Sequence, residues 1–190
     1  MFNTQYEMMN RIKYIVPAIA LTVLAGCKKL LEKEPDNRAK LNSPEKVAQL
    51  VATAYPSGNY MAFAETSSDN VGDRGSGIVD NVILDPFMFR DVRSTDQDSP
   101  EFYWNTCYAA IAAANEALEA IREQGPDSVK YNAQKGEALV ARAYAHFMLV
   151  NFFSKFYAAS TAATDPGIPY VTEPEKVVVK QYDRKTVNKH

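Results

Sequence analysis

The feature that most restricts the fold is a pair of long helix-periodic segments separated by a few polar residues. In the first, Trp104, Tyr108, Ile111, Asn115, Leu118 and Arg122 follow at steps of four, three, four, three and four, the return period of one helix face. That face is polar only at Asn115 and Arg122. Ser99-Pro100-Glu101 supplies a start: the hydroxyl can accept from an orphan N–H, proline suits the first helical position, and the carboxylate meets the positive helix end. Gly125-Pro126 ends the segment. The second runs from about Asn132 to Phe156, with Ala138, Ala141, Ala145, Met148 and Phe152 as its stripe. Its three alanines let a neighbouring helix come close. Two long helices with a short joint pack antiparallel. The spacing therefore predicts a mainly α fold built on an antiparallel pair meeting along Trp104, Tyr108, Ile111 and Ala138, Ala141, Ala145, with long irregular loops around it.

The rest of the chain is less regular. Ser43-Pro44-Glu45 repeats the start signal, and Val47, Leu50, Val51, Ala54 and Tyr55 fall on one face of a helix that Pro56 stops. From Asn59 to Pro100 the pattern is that of an ordered loop. Within it, "VILDPFMFR" from Val82 to Arg90 suggests buried loop or a short element, with Asp85-Pro86 breaking any long strand. Gly72, Gly75 and Gly77 do not make a phosphate loop, since no Lys-Ser/Thr follows. The acidic spacing also fails the calcium loop of an EF-hand. Beyond Phe156, prolines and a glycine mark a loop with a short extended piece near Val177 to Val179.

The N-terminus has its own logic. Arg11 and Lys13 precede an uncharged apolar run from Tyr14 to Ala25. That run is too short to cross a bilayer, which takes about 20 residues, and has the length of a signal-peptide apolar region. It ends in Leu24-Ala25-Gly26-Cys27, where small residues precede a cysteine. This resembles the lipobox of bacterial lipoproteins, which implies cleavage before Cys27 and lipid on its thiol. The expected organisation is a signal peptide at 1–26, a lipidated tether at 27–42 and a helical domain at 43–190. Removing 26 of 190 residues leaves 164, one domain's worth.

Composition narrows function. A formal net charge of −2, with signs interspersed, offers no footprint for nucleic acid. If Cys27 carries lipid, Cys107 is left as the second of two cysteines, and its apolar surroundings suggest a buried, inert thiol. With only two histidines, His146 and His190, a Ser-His-Asp triad or a histidine-rich metal site is hard to build. His146 reads as a packed helix residue. No cofactor and no metal are expected, and nothing pairs Asp69, Asp73 and Asp80 into the two carboxylates a glycoside hydrolase needs, so no enzyme is expected.

At the two helices a family resemblance emerges. "FYWNTCYAAIAAANEAL", Phe102 to Leu118, resembles the W-x3-Y-x2-I-x3-N signature of the SusD/RagB family. "GEALVARAYAHFMLVNFF", Gly136 to Phe153, resembles its G-E-A-x3-R-A-x3-F-x-L motif, which covers Glu137 and Arg142. "DPGIPYVTEP", "CKKLLEKEP" and "AETSSDNVGDRG" are similar to further family segments. The resemblance implies tetratricopeptide-like helix pairs of SusD-like type. It also implies a surface-exposed lipoprotein of the cell outer membrane that binds oligosaccharide, or sometimes peptide, for uptake with a TonB-dependent transporter. Family members usually run longer, so an N-terminal, incomplete SusD-like domain is expected here, and repeat modules normally need about three units. The alternative is a docking module that packs on a transporter without binding nutrient itself.

Site residues follow from the same reading. Asn115 and Arg142 are either ligand contacts or, as favoured, a hydrogen-bond network between packed helices. Trp104 is read as core in preference to a sugar-stacking ring, and Tyr108 and Glu137 as parts of the structural motif. Ligand candidates lie in the loop: Asp69, Asn70, Asp73 and Arg74 can bridge hydroxyls, and Phe87 and Phe89 can offer rings or anchor the loop onto the helices.

Overall fold

The computed structural model describes residues 40–72, 75, 77, 79–177 and 180–189. Cys27, the proposed signal segment, Asp73, Arg74 and most of the expected extended piece at Val177–Val179 lie outside these residues. The chain divides into two compact units, and everything below concerns the one from Leu41 onward. Its α-helices are α1 (Pro44–Val51), α2 (Met61–Ala64), α3 (Asn81–Phe87), α4 (Pro100–Glu123) and α5 (Asn132–Phe153). Among the described residues no strand forms, only an isolated antiparallel bridge between Pro166 and Thr186.

Local chemistry starts the helices where the serines stand. The Ser43 hydroxyl accepts from the Lys46 N–H at 3.4 Å, and the Ser99 hydroxyl from the Phe102 N–H at 3.1 Å. Asp80 caps α3 in the same way, through Val82 N–H at 3.0 Å. That cap was not foreseen, and α3 carries Pro86 inside its last turn. A proline there removes one helical bond in a helix already about to end. The expected loop from Asn59 to Pro100 is thus punctuated by two short helices and a 3-10 turn at Glu65–Ser67. The first helix stops at Val51 and not at Pro56, although Ala54 beyond it is still buried.

The antiparallel pair is the spine. Tyr103, Cys107, Ala110 and Ile111 near the start of α4 pack with Ala145, Met148 and Leu149 near the end of α5. Ala114 meets Ala141 and Ala54, and Ala117 and Ile121 meet Ala138 with Val47 and Val51 of α1. The α5 alanines are fully buried as expected. The α4 face differs from the expected stripe by one residue, about 100° around a helix. Tyr103 and Cys107 fill the seam, while Trp104 and Tyr108 stand half-buried on the adjacent face. The joint is a 3-10 segment, Gly125–Tyr131, entered through Gly125 at φ 57 and anchored by buried Tyr131. At the opposite end, Phe152 contacts the rings of Tyr60, Phe63 and Tyr103 at 5.0 to 5.8 Å. The turn before Tyr60 runs so close to α4 that a Cβ on Gly58 would sit 2.8 Å from the Thr106 hydroxyl.

α5 ends at Phe153, one turn short of Phe156, which is exposed. The segment from 154 to 189 then returns along the pair as a strap. Ile168 and Val171 insert into the main core. Near its end the bridge is closed by Gly167 N–H to Lys185 O at 3.1 Å and Val187 N–H to Asp165 O at 3.0 Å. Arg184 ties the strap to itself and to α5, donating to Gly167 O at 2.8 Å and Phe153 O at 3.0 Å.

Candidate ligand trough

The strap carries few regular backbone bonds, so its carbonyls need other donors. The helices supply them. Tyr108 donates its hydroxyl to Pro169 O at 2.9 Å. Asn115, buried, donates to Val171 O at 3.2 Å and Glu173 O at 3.3 Å, while its own carbonyl accepts from Arg142 at 2.9 Å. Arg142 also donates to Thr172 O at 2.9 Å. His146 accepts the Val171 N–H at Nε2, 3.2 Å away, so its proton is on Nδ1, which lies 2.9 Å from Arg142 O. Burial pushes the Tyr108 hydroxyl well above the usual tyrosine range, and Arg184 pulls it partly back.

Between this strap and α4 lie two adjoining cavities. One, of about 390 Å³, is lined by Trp104, Tyr108, Glu116, Pro169, Glu175 and Tyr182. The other, of about 670 Å³, is lined by Glu119, Arg122, Thr172, Lys176 and Lys180. Asn115, Glu173 and Pro174 border both, which makes them one trough. Trp104 is the chain's single tryptophan. Its ring rests against Phe153 and Tyr108, both at 5.0 Å, and lines the ring-rich end. The Tyr182 hydroxyl is buried, and the neighbouring Glu175 carboxylate, with burial, pushes it up to about 12. At the charged end Arg122 grips Glu119 through two bonds of 2.8 and 2.6 Å, holding that carboxyl below its usual range. Lys180 sits over the Tyr182 ring at 4.9 Å.

Among the described residues, α4 contributes Glu116, Glu119 and Arg122 to the trough and the strap contributes Glu173, Glu175, Lys176 and Lys180, close to charge balance. Flat rings at one end and hydrogen-bonding side chains along both rims suit a neutral molecule with apolar faces and many hydroxyls.

The structure thus brings together Trp104, Tyr108, Asn115 and Arg142. It places the described loop candidates, Asp69, Asn70, Phe87 and Phe89, elsewhere. Asp69 is exposed, and Asn70 donates its amide to Glu65 at 3.0 Å within its own turn. That bond, with one from Ser68, holds the Glu65 carboxyl below its usual range. Phe87 and Phe89 are exposed, Phe89 to 91%, so neither anchors the loop onto the helices. The loop is held instead by buried Asp85, which Arg93 engages at 2.9 and 3.1 Å. Glu137 is exposed on α5. Sequence reasoning missed Glu116, Glu173, Glu175 and Tyr182. The "GIPYVTEPE" run carries two of them, and its lack of periodicity was the only available sign that it would lie along a helix.

A model of one protein family, described as starch-binding and associating with the outer membrane, matches residues 29–190. No curated protein sequence matches the chain.

Proposed function

Because the chain belongs to the SusD-like family of starch-binding proteins that associate with the outer membrane, we propose that its trough holds an uncharged oligosaccharide for uptake, with no bond broken. The observation that carries this reading is the meeting of Trp104, Tyr108 and Tyr182 with glutamates 116, 173 and 175 along one cavity. Rings would stack on the C–H faces of a pyranose, and carboxylates would accept from its hydroxyls, the charge-assisted bonds being the stronger kind. Lipid on Cys27 would hold the protein at the outer membrane, surface-exposed, where a TonB-dependent transporter would take the ligand on. Two lipid chains or more are needed for a durable anchor, since one binds only marginally.

Trp104 gives the test its readout. Titrating the protein with malto-oligosaccharides should change tryptophan emission with saturation, and Tyr182→Ala should weaken the apparent affinity by about two- to tenfold, the scale of one lost stacking contact. Saturable binding that is unaltered in both Tyr182→Ala and Glu175→Ala would place the sugar elsewhere. Anchoring is checked separately by labelled palmitate, which should mark the wild type and not Cys27→Ser.

A second reading rests on a different surface. Val140, Tyr144 and Phe147 stand exposed at helical spacing on the outer side of α5. A helix apolar on more than one side is ordinarily covered on each. On this reading the pair is a docking module that packs on a transporter, and sugar titration would leave Trp104 emission unchanged.

A further inference from the structure

We propose that His146 makes the trough acid-sensitive, the strap at Val171 being held fully only while this imidazole is neutral. The proposal rests on the reading of the trough as a ligand site and adds its regulation. Both ring nitrogens are committed. Nε2 accepts the Val171 N–H at 3.2 Å, and Nδ1 faces Arg142 O at 2.9 Å, so these two partners are both met only in the Nδ1-protonated neutral form. A second proton would have to enter at Nε2. Two N–H groups would then point at each other, and the Val171 amide, on a residue only 8% exposed, would lose its acceptor.

The surroundings do not favour that added charge. His146 is 4% exposed. On its own helix Arg142 lies one turn earlier, with its guanidinium committed to Asn115 and Thr172. Lys155 and Tyr157, beyond the end of α5, line the cleft into which the imidazole opens, and Lys155 is paired with Asp165 at 2.8 Å. From the strap, the Tyr170 ring packs on the imidazole at 4.6 Å. From α4 the nearest polar partner of the network is Asn115, which is uncharged. Of these named groups, Arg142 and Lys155 are cations and Asp165 is the carboxylate paired with Lys155.

The sign follows from linkage. The docked strap requires the unprotonated ring, whereas a released strap leaves the ring free to bind a proton. This contribution to docking is therefore complete above the ordinary histidine value of about 6.5 and is lost as pH falls below it. Val171 belongs to the trough wall along with Pro169 and Glu173, so its release opens the cavity beside Trp104.

The test uses the full chain without sugar. Acrylamide quenching of Trp104 should rise about twofold between about pH 7.5 and about pH 5.5, a window centred on histidine titration. Carboxylates at Glu65, Asp85, Glu119 and Asp165 are held below their usual range by their partners and stay ionised throughout it. His146→Gln, whose amide oxygen can accept from Val171 N–H without titrating, should show no such rise. Nitrogen-15 spectra of the wild type give an arm that needs no variant: His146, one of two histidines, should carry its proton on Nδ1 at the higher pH and gain one on Nε2 as quenching increases. A wild type whose quenching is flat, a Gln variant that opens as the wild type does, or Nε2 already protonated at about pH 7.5 would each overturn the proposal. The readout involves no oligosaccharide, so absence of sugar binding leaves it standing, and absence of an acid response leaves the sugar titration untouched.

Discussion

The α4–α5 seam and the strap are held against each other by different physics. The seam is apolar and small-sided: Ala110, Ala114 and Ala117 face Ala138, Ala141 and Ala145, and backbone groups are satisfied within each helix. The strap has almost no regular structure. It is held by donors from Tyr108, Asn115 and Arg142 to its carbonyls, by its own Arg184 donating to Phe153 O of α5, and by Nε2 of His146 accepting one of its N–H groups. A seam of that kind tolerates changes in polarity at its edges but not in volume. A strap of that kind tolerates changes in volume at its rim but not the loss of a donor. The candidate site lies where the two meet, which gives it one wall of close-packed helix and one wall held by two buried apolar side chains, Ile168 and Val171, and a few hydrogen bonds.

That contrast can be broken at four points. The largest effect should come from Leu149→Ala, which empties a fully buried site in the seam and should cost about 2–5 kcal/mol in global stability by denaturant unfolding. A loss below that range would mean the seam can collapse onto the gap. Ala141→Leu should cost about 1–3 kcal/mol by overpacking, lowering the melting temperature of the whole unit. An unchanged melting temperature would put the helix register in error. Asn115→Leu should cost about 1–3 kcal/mol, because two strap carbonyls and Arg142 lose a partner. Its signature should be local: amide exchange accelerates from 167 to 174 and stays protected along α5. Equal acceleration in both regions would erase the distinction between seam and strap. The smallest effect should come with acid. Lys155 and Thr161 hold the Asp165 carboxyl below its usual range. A depressed carboxylate contributes stability that is complete above the ordinary value of about 3.9 and is lost as pH falls past it. Exchange near the Pro166–Thr186 bridge should therefore quicken below about pH 4 in the wild type and lose this dependence in Asp165→Asn.

What the sequence disclosed follows the same division. Capping is local chemistry, so Ser43 and Ser99 announced their helices. The alanine stripe of α5 was legible because one period described one buried face. On α4 two adjacent faces are buried, one under α5 and one under the strap. A single four-three stepping ran Trp104 and Tyr108 together with Ile111. The strap has no period, so nothing in it pointed to Trp104 as a cavity wall or to Glu173 and Glu175 as a rim. The Asp85–Arg93 pair was equally hidden: eight residues across an irregular turn carry no pattern. Asn115 and Arg142 did stand out, as polar residues interrupting apolar faces, and the partners they hold are backbone atoms of the strap as well as each other.

The joint at Gly125–Tyr131 has a consequence for how the chain assembles. Seven residues close the helix hairpin, whereas the Asn115–Val171 bond spans 56 positions and the Tyr108–Pro169 bond spans 61. Closing a loop costs more entropy the longer it is, though only slowly, and distant contacts are made after near ones. The hairpin should therefore form first, with the strap docking onto it late. Substitutions in the seam should slow folding, while substitutions at the strap's anchor points should leave folding rates nearly unchanged and hasten unfolding. The half-life of the native state is then governed by the last segment to arrive, the one that also walls the trough.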